Sequence, residues 1–284
     1  MKTISNPSVK KSVISVIGFI SLFTLYHLPE FFQNYYQESL IWMLETGMLL
    51  FVIVAYFIGK RTFKNGFRTY GLFAFRKHWG NLITGLLIGI CITILANLVP
   101  VWLHWNKISF HWEWQKILLH SVLFAIGTLL PSLAEDILTR GYLMAYWPGK
   151  WNFSLLILLS SGVYVLNHIF RLDKPDVLLY LFVLGLLLMW VFVATRSLWL
   201  TLGIHWGSNI AYQFFANDVS VETIKETGME NYVLAACYAL GFMLIFLLFK
   251  RGFFTLAIKT DDWNMWHVLQ KGKILNILAL QTKN

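Results

Sequence analysis

Apolar runs of membrane length dominate this 284-residue chain and leave few folds open to it. A helix needs about 20 mostly apolar residues to cross a bilayer. Eight runs approach that length, at about residues 12–28, 40–59, 80–104, 117–146, 152–170, 177–195, 197–216 and 231–249. The loops between them are too short for an extramembrane domain. We therefore predict an all-α polytopic membrane protein with about eight transmembrane helices, forming a single membrane domain over residues 1–284.

Lysine and arginine are distributed unevenly between alternate loops, which indicates the orientation in the membrane. Of the 23 cations, 17 lie in residues 1–11, 60–79, 147–151, 196 and 250–284, whereas the other loops hold five and Arg140 lies inside a run. Cytoplasmic loops carry the excess of positive charge. We predict a multi-pass protein of the cell membrane with both termini cytoplasmic. The net charge of +9 then reflects this orientation. We therefore expect the protein to interact with the lipid bilayer and not with nucleic acid.

Three further features limit the possible organisation. The first run continues into Pro29-Glu30-Phe31 without a small-residue cleavage site, so we expect an uncleaved span rather than a signal peptide. Cys91 and Cys237 both lie in apolar runs, which excludes a disulfide framework and a CxxC metal site. Residues 251–284 are too mixed to span. We expect a cytoplasmic tail that lies at the interface as amphipathic helices or is loosely ordered.

Charged residues inside the fourth run mark a functional site. Glu135, Asp136 and Arg140 lie within six residues of one another, and each charge at bilayer depth costs roughly 2.5–3.5 kcal/mol. Asp136 and Arg140 are spaced i, i+4 with the acid first, so they can form an ion pair. Glu135 points about 100° away from Asp136 and has no local cation. It is therefore the carboxylate that is free for chemistry.

Two other runs carry polar pairs at the same i, i+4 spacing, Tyr164 with His168 and His205 with Asn209. Counted from the cytoplasmic helix ends, Glu135, His168 and His205 lie at depths of roughly 18, 24 and 14 Å. We therefore predict an intramembrane polar cavity between helices 4, 5 and 7, which are the runs at 117–146, 152–170 and 197–216.

Two polar residues of the apolar runs fall outside this grouping. His120 and Glu45 have no polar companions in the sequence. We expect structural roles for both, since a lone histidine in a span is often an interhelical hydrogen-bonding link.

Three strings together resemble a known family: EDILTRG at 135–141, YVLNH at 164–168 and HWGSN at 205–209. The pattern is similar to the EExxxR, FxxxH and HxxxN motifs of the intramembrane proteases that include the CAAX prenyl endopeptidases and the bacteriocin-processing and self-immunity proteins. The resemblance covers about residues 117–216, which would be the catalytic core. Asp136 stands where the family has a second Glu, and Tyr164 stands where it has Phe.

The resemblance implies a glutamic-type endopeptidase acting on a membrane-associated peptide or protein. Glu135 would be the general base that activates a water held jointly with His168, and His168 would later protonate the leaving amine. His205 and Asn209 would donate hydrogen bonds to the oxyanion.

The remaining motif residues would support this chemistry. The resemblance implies that Asp136 and Arg140 hold the helix and set the field around Glu135. The Tyr164 hydroxyl, which the family's Phe lacks, requires a hydrogen-bond partner.

The same residues leave other interpretations open. One Glu and two His also form a zinc set of the His₂Glu type, although the chain contains no HExxH; we expect no cofactor and keep zinc as the minority alternative. Some members of the family are thought to be inactive scaffolds, so a noncatalytic scaffold or immunity protein is the second hypothesis. A transporter with a proton relay ranks lower, because no repeated halves are visible.

Overall fold

The computed structural model describes residues 7–36, 41–110, 113–146 and 152–252. Within these ranges the chain forms nine α-helices and one pair of short strands. The helices are α1 Pro7–Tyr36, α2 Ile41–Phe63, α3 Phe75–Trp102, α4 Trp114–Asp136, α5 Tyr142–Tyr146, α6 Phe153–Leu166, α7 Pro175–Thr195, α8 Leu198–Asn217 and α9 Glu230–Lys250; the strands are β1 Asn106–Phe110 and β2 Val219–Thr223. The predicted tail lies almost wholly outside the described residues.

The helices confirm the predicted all-α polytopic membrane fold. Six segments of the described chain are long and apolar enough to cross a bilayer: Val13–Gln33, Trp42–Phe63, Phe75–Trp102, Trp114–Tyr146, Pro175–Thr195 and Glu230–Lys250. The two other predicted spans differ. The predicted span 152–170 becomes the 14-residue α6, about 21 Å long, and α8 has the length of a span but carries several polar residues.

Glycines bring α3 and α8 into close contact. Each helix carries a GxxxG pair, Gly85 and Gly89 on α3 and Gly203 and Gly207 on α8. A Cβ atom at any of the four would collide with the backbone of the other helix. Small residues at this spacing allow membrane helices to approach closely, with backbones in contact. The packing fixes His205, which lies between the two α8 glycines.

One end of the bundle gathers the basic loops. The backbone N–H of Leu198 donates to the carbonyl of Gly71 at 3.0 Å, which joins the α7–α8 turn to the loop before α3. The hydroxyl of Tyr142 donates to the carbonyl of Ser15 at 2.7 Å, which joins α5 to the first half of α1. We call this face, with residues 60–79 and 196, the basic end.

The opposite end carries a feature that the all-α prediction missed. Strands β1 and β2 pair antiparallel, with Ile108 opposite Val221. The carbonyl of Trp105 accepts the N–H groups of Ile224 and Lys225 at 2.8 and 3.0 Å. We call this face the ribbon end. The five-residue strands escape prediction because each follows an apolar helix in a short polar loop.

His120 lies near the ribbon end and has the structural role that we expected of it. Its Nδ1 lies 2.6 Å from Oδ1 of Asp218, a carboxylate that is fully buried at the end of α8. His120 therefore has a companion, which sequence spacing could not reveal because 98 residues separate the two. The contact is an interhelical link between α4 and α8, the structural role expected of a lone membrane histidine.

Candidate active site

A π-helical turn follows directly after Glu135 and Asp136. Residues Ile137–Gly141 form the turn, and the N–H of Tyr142 bonds the carbonyl of Ile137 five residues earlier. Single π turns inside α-helices occur frequently at functional sites. Upstream, Pro131 cannot donate to the carbonyl of Gly127, so the ladder of α4 is already interrupted one turn before Glu135. The charged segment thus lies between two departures from regular α-helix.

The ion pair expected between Asp136 and Arg140 is present and wholly buried. Nη1 of Arg140 donates to Oδ1 of Asp136, and both side chains are fully buried. Nη1 also donates to Oγ1 of Thr139 at 3.0 Å, and the guanidinium lies 4.5 Å over the ring of Tyr164. Oδ2 of Asp136 and the Nε and Nη2 atoms of Arg140 have no hydrogen-bond partner among the described residues. The pair is therefore a single contact rather than a bidentate one.

Asp136 also holds His205 from α8. Nδ1 of His205 donates to Oδ1 of Asp136 at 3.0 Å, so its Nε2 is the nitrogen that is free for chemistry. That Nε2 lies 3.4 Å from Oε2 of Glu135 and 3.4 Å from the hydroxyl of Tyr164. The extra hydroxyl of Tyr164 has thus found a partner. A neutral His205 accepts from Tyr164, whereas a protonated His205 donates toward Glu135.

Glu135 lies at the meeting point of three helices and is only 5% exposed. Nδ2 of Asn167 donates to its Oε1 at 2.8 Å. Nδ1 of His168 lies 3.9 Å from the same oxygen, and His205 faces the other oxygen. The structure therefore brings Glu135, His168 and His205 together. No Lys or Arg contacts Glu135 among the described ion pairs, in contrast to Asp136.

The early end of α6 places Asn167 and His168 at the site. The helix stops at Leu166, and the backbone N–H groups of Asn167 and His168 turn back to the carbonyls of Val163 and Val165. His168 Nδ1 donates to the carbonyl of Tyr164 at 2.9 Å. Irregular backbone at membrane depth is tolerated where it lines a cavity. The shortened fifth span is thus part of the construction of the site.

Asn209 lies at the site but with a different contact. Its Nδ2 donates to Oγ of Ser132 at 2.9 Å, and Ser132 in turn donates to the carbonyl of Thr128. One of its two amide hydrogens is occupied, which leaves the second for a substrate. Asn209 and His205 border the same cavity as Glu135.

A cavity of about 630 Å³ lies over these residues. Its volume is within the range of ligand-binding clefts. Glu135, Tyr164, His168, His205 and Asn209 all border it. Asp136 and Arg140 do not, which agrees with their burial beneath the cavity. The predicted site residues therefore divide into five that a substrate can contact and two that lie behind them.

Sequence reasoning missed Asn167 and the helix behind it. Oδ1 of Asn167 lies 3.1 Å from Nε2 of His27 on α1, and Nδ1 of His27 lies 3.4 Å from Glu30. Because Nδ2 of Asn167 donates to Glu135, its Oδ1 must accept, so His27 donates from Nε2. Asn167 directly precedes His168, and this adjacency was the available signal. Nothing in the spacing could have connected His27 with residues 140 positions away.

The described side chains around Glu135 do not form an evident metal site. Among the described residues, no group of three or more His, Cys, Asp and Glu side chains has the arrangement of a metal site. Nδ1 of His168 is occupied by the carbonyl of Tyr164 and Nδ1 of His205 by Asp136. Zinc would therefore have to bind both imidazoles through Nε2, with Glu135 as the third ligand.

Comparison with known families accounts for the central segment. Residues 117–211 match the family model described as type II CAAX prenyl endopeptidase, Rce1-like. The match covers about a third of the chain, and this segment is similar to the Rce1-like CAAX proteases. The Rce1-like match runs from α4 into α8 and includes Glu135, Asn167, His168, His205 and Asn209. No curated protein and no solved structure matches the chain. The match supports a CAAX-type membrane protease at the level of the family.

Proposed function

We propose that this protein hydrolyses a peptide bond of a membrane-associated protein or peptide, with Glu135 activating the attacking water. The observation that supports this most is the environment of Glu135. It is a buried carboxylate at the wall of a cavity, with a neutral amide and two imidazoles around it. A base needs access to water: Glu135 borders the cavity, and no Lys or Arg pairs with it among the described ion pairs.

The histidines have separate tasks in this proposal. Because Nδ1 of His168 is held by the carbonyl of Tyr164, the neutral ring presents an unprotonated Nε2 that can bind and orient a water. Because Nδ1 of His205 is held by Asp136, the protonated ring presents Nε2–H as a donor. The bond with Asp136 also fixes the orientation of the ring, which suits a donor to a developing oxyanion.

The reaction then proceeds by direct attack of water. The water oxygen bonds to the scissile carbonyl carbon while Glu135 takes one of its protons. Negative charge develops on the carbonyl oxygen, which accepts from His205 and from the second amide hydrogen of Asn209. The carbon–nitrogen bond breaks, and His168 passes the proton from Glu135 to the leaving amine. The products are a new carboxyl terminus and a new amino terminus, and no acyl-enzyme forms.

A comparison of peptide termini in cells tests this proposal and identifies the substrate in the same experiment. Cells carrying wild-type protein are compared with cells carrying Glu135→Gln, by mass spectrometry of membrane-proximal termini. We expect termini that disappear in Glu135→Gln while the protein still accumulates in the membrane. Glu45→Gln replaces a carboxylate on α2 that lies outside the three motifs and does not border the cavity. It is the matched control and should retain these termini.

Two outcomes would favour the alternatives. Identical termini in wild type and Glu135→Gln would refute proteolysis and favour an inactive scaffold or immunity protein. Loss of cleavage on treatment with a chelator, restored by zinc, would show that the Glu–His–His set binds a metal. Under the metal-free proposal, the chelator leaves the rate unchanged.

A further inference from the structure

We infer that the cavity takes its substrate from the extracytoplasmic side of the membrane, as a peptide segment presented at that surface. This inference rests on the proposed proteolysis and specifies the substrate class. A C-terminus presented in the cytoplasm would be excluded. Three observations carry it: which halves of the helices border the cavity, what closes the cavity toward the basic end, and where the cations lie.

The residues that border the cavity belong to the ribbon-end half of the bundle. On α3, which runs from the basic end to the ribbon end, the bordering residues begin at Thr93. On α9, which runs the opposite way, they end at Tyr238. The mouth is bordered by Asn106 and Ile108 of β1 and by Val221 of β2. The last of these is 46% exposed, so the cavity reaches the surface beside the ribbon.

A packed core closes the cavity toward the basic end. Ile137, Leu138 and Tyr142 follow Glu135 along the chain, and each is at most 1% exposed. They pack with Tyr70, which is fully buried in the loop before α3. A Cβ at Gly141 would meet the backbone and Cβ of Tyr70, so no passage for a chain exists between these two segments. No residue of 60–79 and no residue of the 196–198 turn borders the cavity.

The distribution of charge assigns the two ends to the two sides of the membrane. The loop 60–79 alone carries six cations. Arg196, which directly follows α7, and Lys250, the last residue of α9, lie at the same end of the bundle. The ribbon-end loops carry five cations and nine carboxylates. By the positive-inside rule the basic end is cytoplasmic, so the ribbon end and the mouth of the cavity are extracytoplasmic.

The chemistry of the mouth suits a peptide. Gln33, Asn106 and Gln213 place amide side chains around it, and Oδ1 of Asn106 is a buried acceptor without a partner among the described residues. Amide groups match the alternating donors and acceptors of an extended backbone.

Thiol labelling from each side of the membrane tests the assignment. In a background with Cys91→Ala and Cys237→Ala, single cysteines replace Val221 at the mouth, Asn97 on the cavity wall and Asn65 at the basic end. A membrane-impermeant maleimide is applied to intact cells and to inverted membrane vesicles. We expect Val221→Cys and Asn97→Cys to be labelled in intact cells and Asn65→Cys only in inverted vesicles. The reverse pattern would overturn the inference.

Labelling does not depend on activity. The experiments can therefore separate an error in the proposed side of substrate entry from an error in the proposed proteolysis. If the cavity is labelled from outside but no terminus depends on Glu135, the proposed function fails although the orientation stands. Termini that depend on Glu135 should map to extracytoplasmic segments of their proteins. Such termini in cytoplasmic segments would overturn this inference while leaving the proteolysis intact.

Discussion

Replacement of Arg140 by methionine should strongly destabilise the protein. The change removes the cation but keeps an unbranched side chain of similar length. Asp136 would then remain as a fully buried carboxylate with only His205 as a donor. Removing one partner of a buried ion pair costs about 3–5 kcal/mol. Because the contact is single rather than bidentate, we expect a value near the lower end, about 3 kcal/mol, to which loss of the guanidinium over Tyr164 contributes.

A double-mutant cycle separates the charge effect from packing. Asp136→Asn alone leaves Arg140 with Thr139 and Tyr164, so it should cost less than Arg140→Met. Asp136→Asn combined with Arg140→Met removes both charges and should cost less than the sum of the two single changes, with a coupling energy of about 2 kcal/mol.

The assay is equilibrium unfolding of the purified protein in micelles, followed by tryptophan fluorescence. Arg68→Met, at an exposed position of the basic end, is the control and should change the unfolding free energy by less than about 0.5 kcal/mol. Two results would refute the reasoning: Arg140→Met as stable as Arg68→Met, or strict additivity in the double variant. A stable but inactive Arg140→Met would instead assign the guanidinium a direct role in catalysis.

Three further substitutions test other parts of the structure. Gly207→Ala should lower the free energy of unfolding by about 1–3 kcal/mol, because its Cβ would meet the backbone of α3. Gly162→Ala, which has open space around it, is the control and should be neutral or stabilising. Thermal unfolding in micelles compares the two variants. Asn167→Ala should lower kcat roughly 10- to 100-fold by removing the donor to Glu135, with Asn217→Ala as control and unchanged kcat as the contradicting result. His120→Phe should lower the unfolding free energy by about 1–3 kcal/mol by leaving Asp218 without its partner, and an unchanged value would refute the proposed link.

The sequence predicted the membrane fold because apolar length and charge distribution are local properties. It also predicted that Glu135, His168 and His205 meet, since depth along each helix follows from counting residues. The same counting could not show that α6 ends at Leu166, because the apolar residues Ile169 and Phe170 extend the run beyond Asn167 and His168. The end of the helix depends on contacts made by Asn167 with Glu135 and His27, which no local pattern encodes.

The short β ribbon and the π turn escaped prediction for a related reason. The two strands stabilise each other although more than 100 residues separate them in the sequence. Neither strand has a distinctive sequence pattern of its own. The π turn depends on buried contacts, such as the bond from Ser160 on α6 to the carbonyl of Thr139. The replacement of Glu by Asp at position 136 raised the question of whether the shorter side chain reaches Arg140. The Asp136 side chain does reach Arg140, through a single contact at Oδ1. The same Oδ1 also accepts the hydrogen bond from His205.

The rate of cleavage by purified Glu135→Gln tests the central claim most directly. A peptide identified from the cellular comparison is incubated with wild-type and variant protein in liposomes, under single-turnover conditions and in the presence of a chelator. Glutamine keeps the shape of the side chain and its bond with Asn167 but cannot take a proton from water. The account predicts a loss of about 10²–10⁴-fold in the cleavage rate of the variant and no effect of the chelator on wild type. Cleavage by Glu135→Gln at the wild-type rate would contradict it.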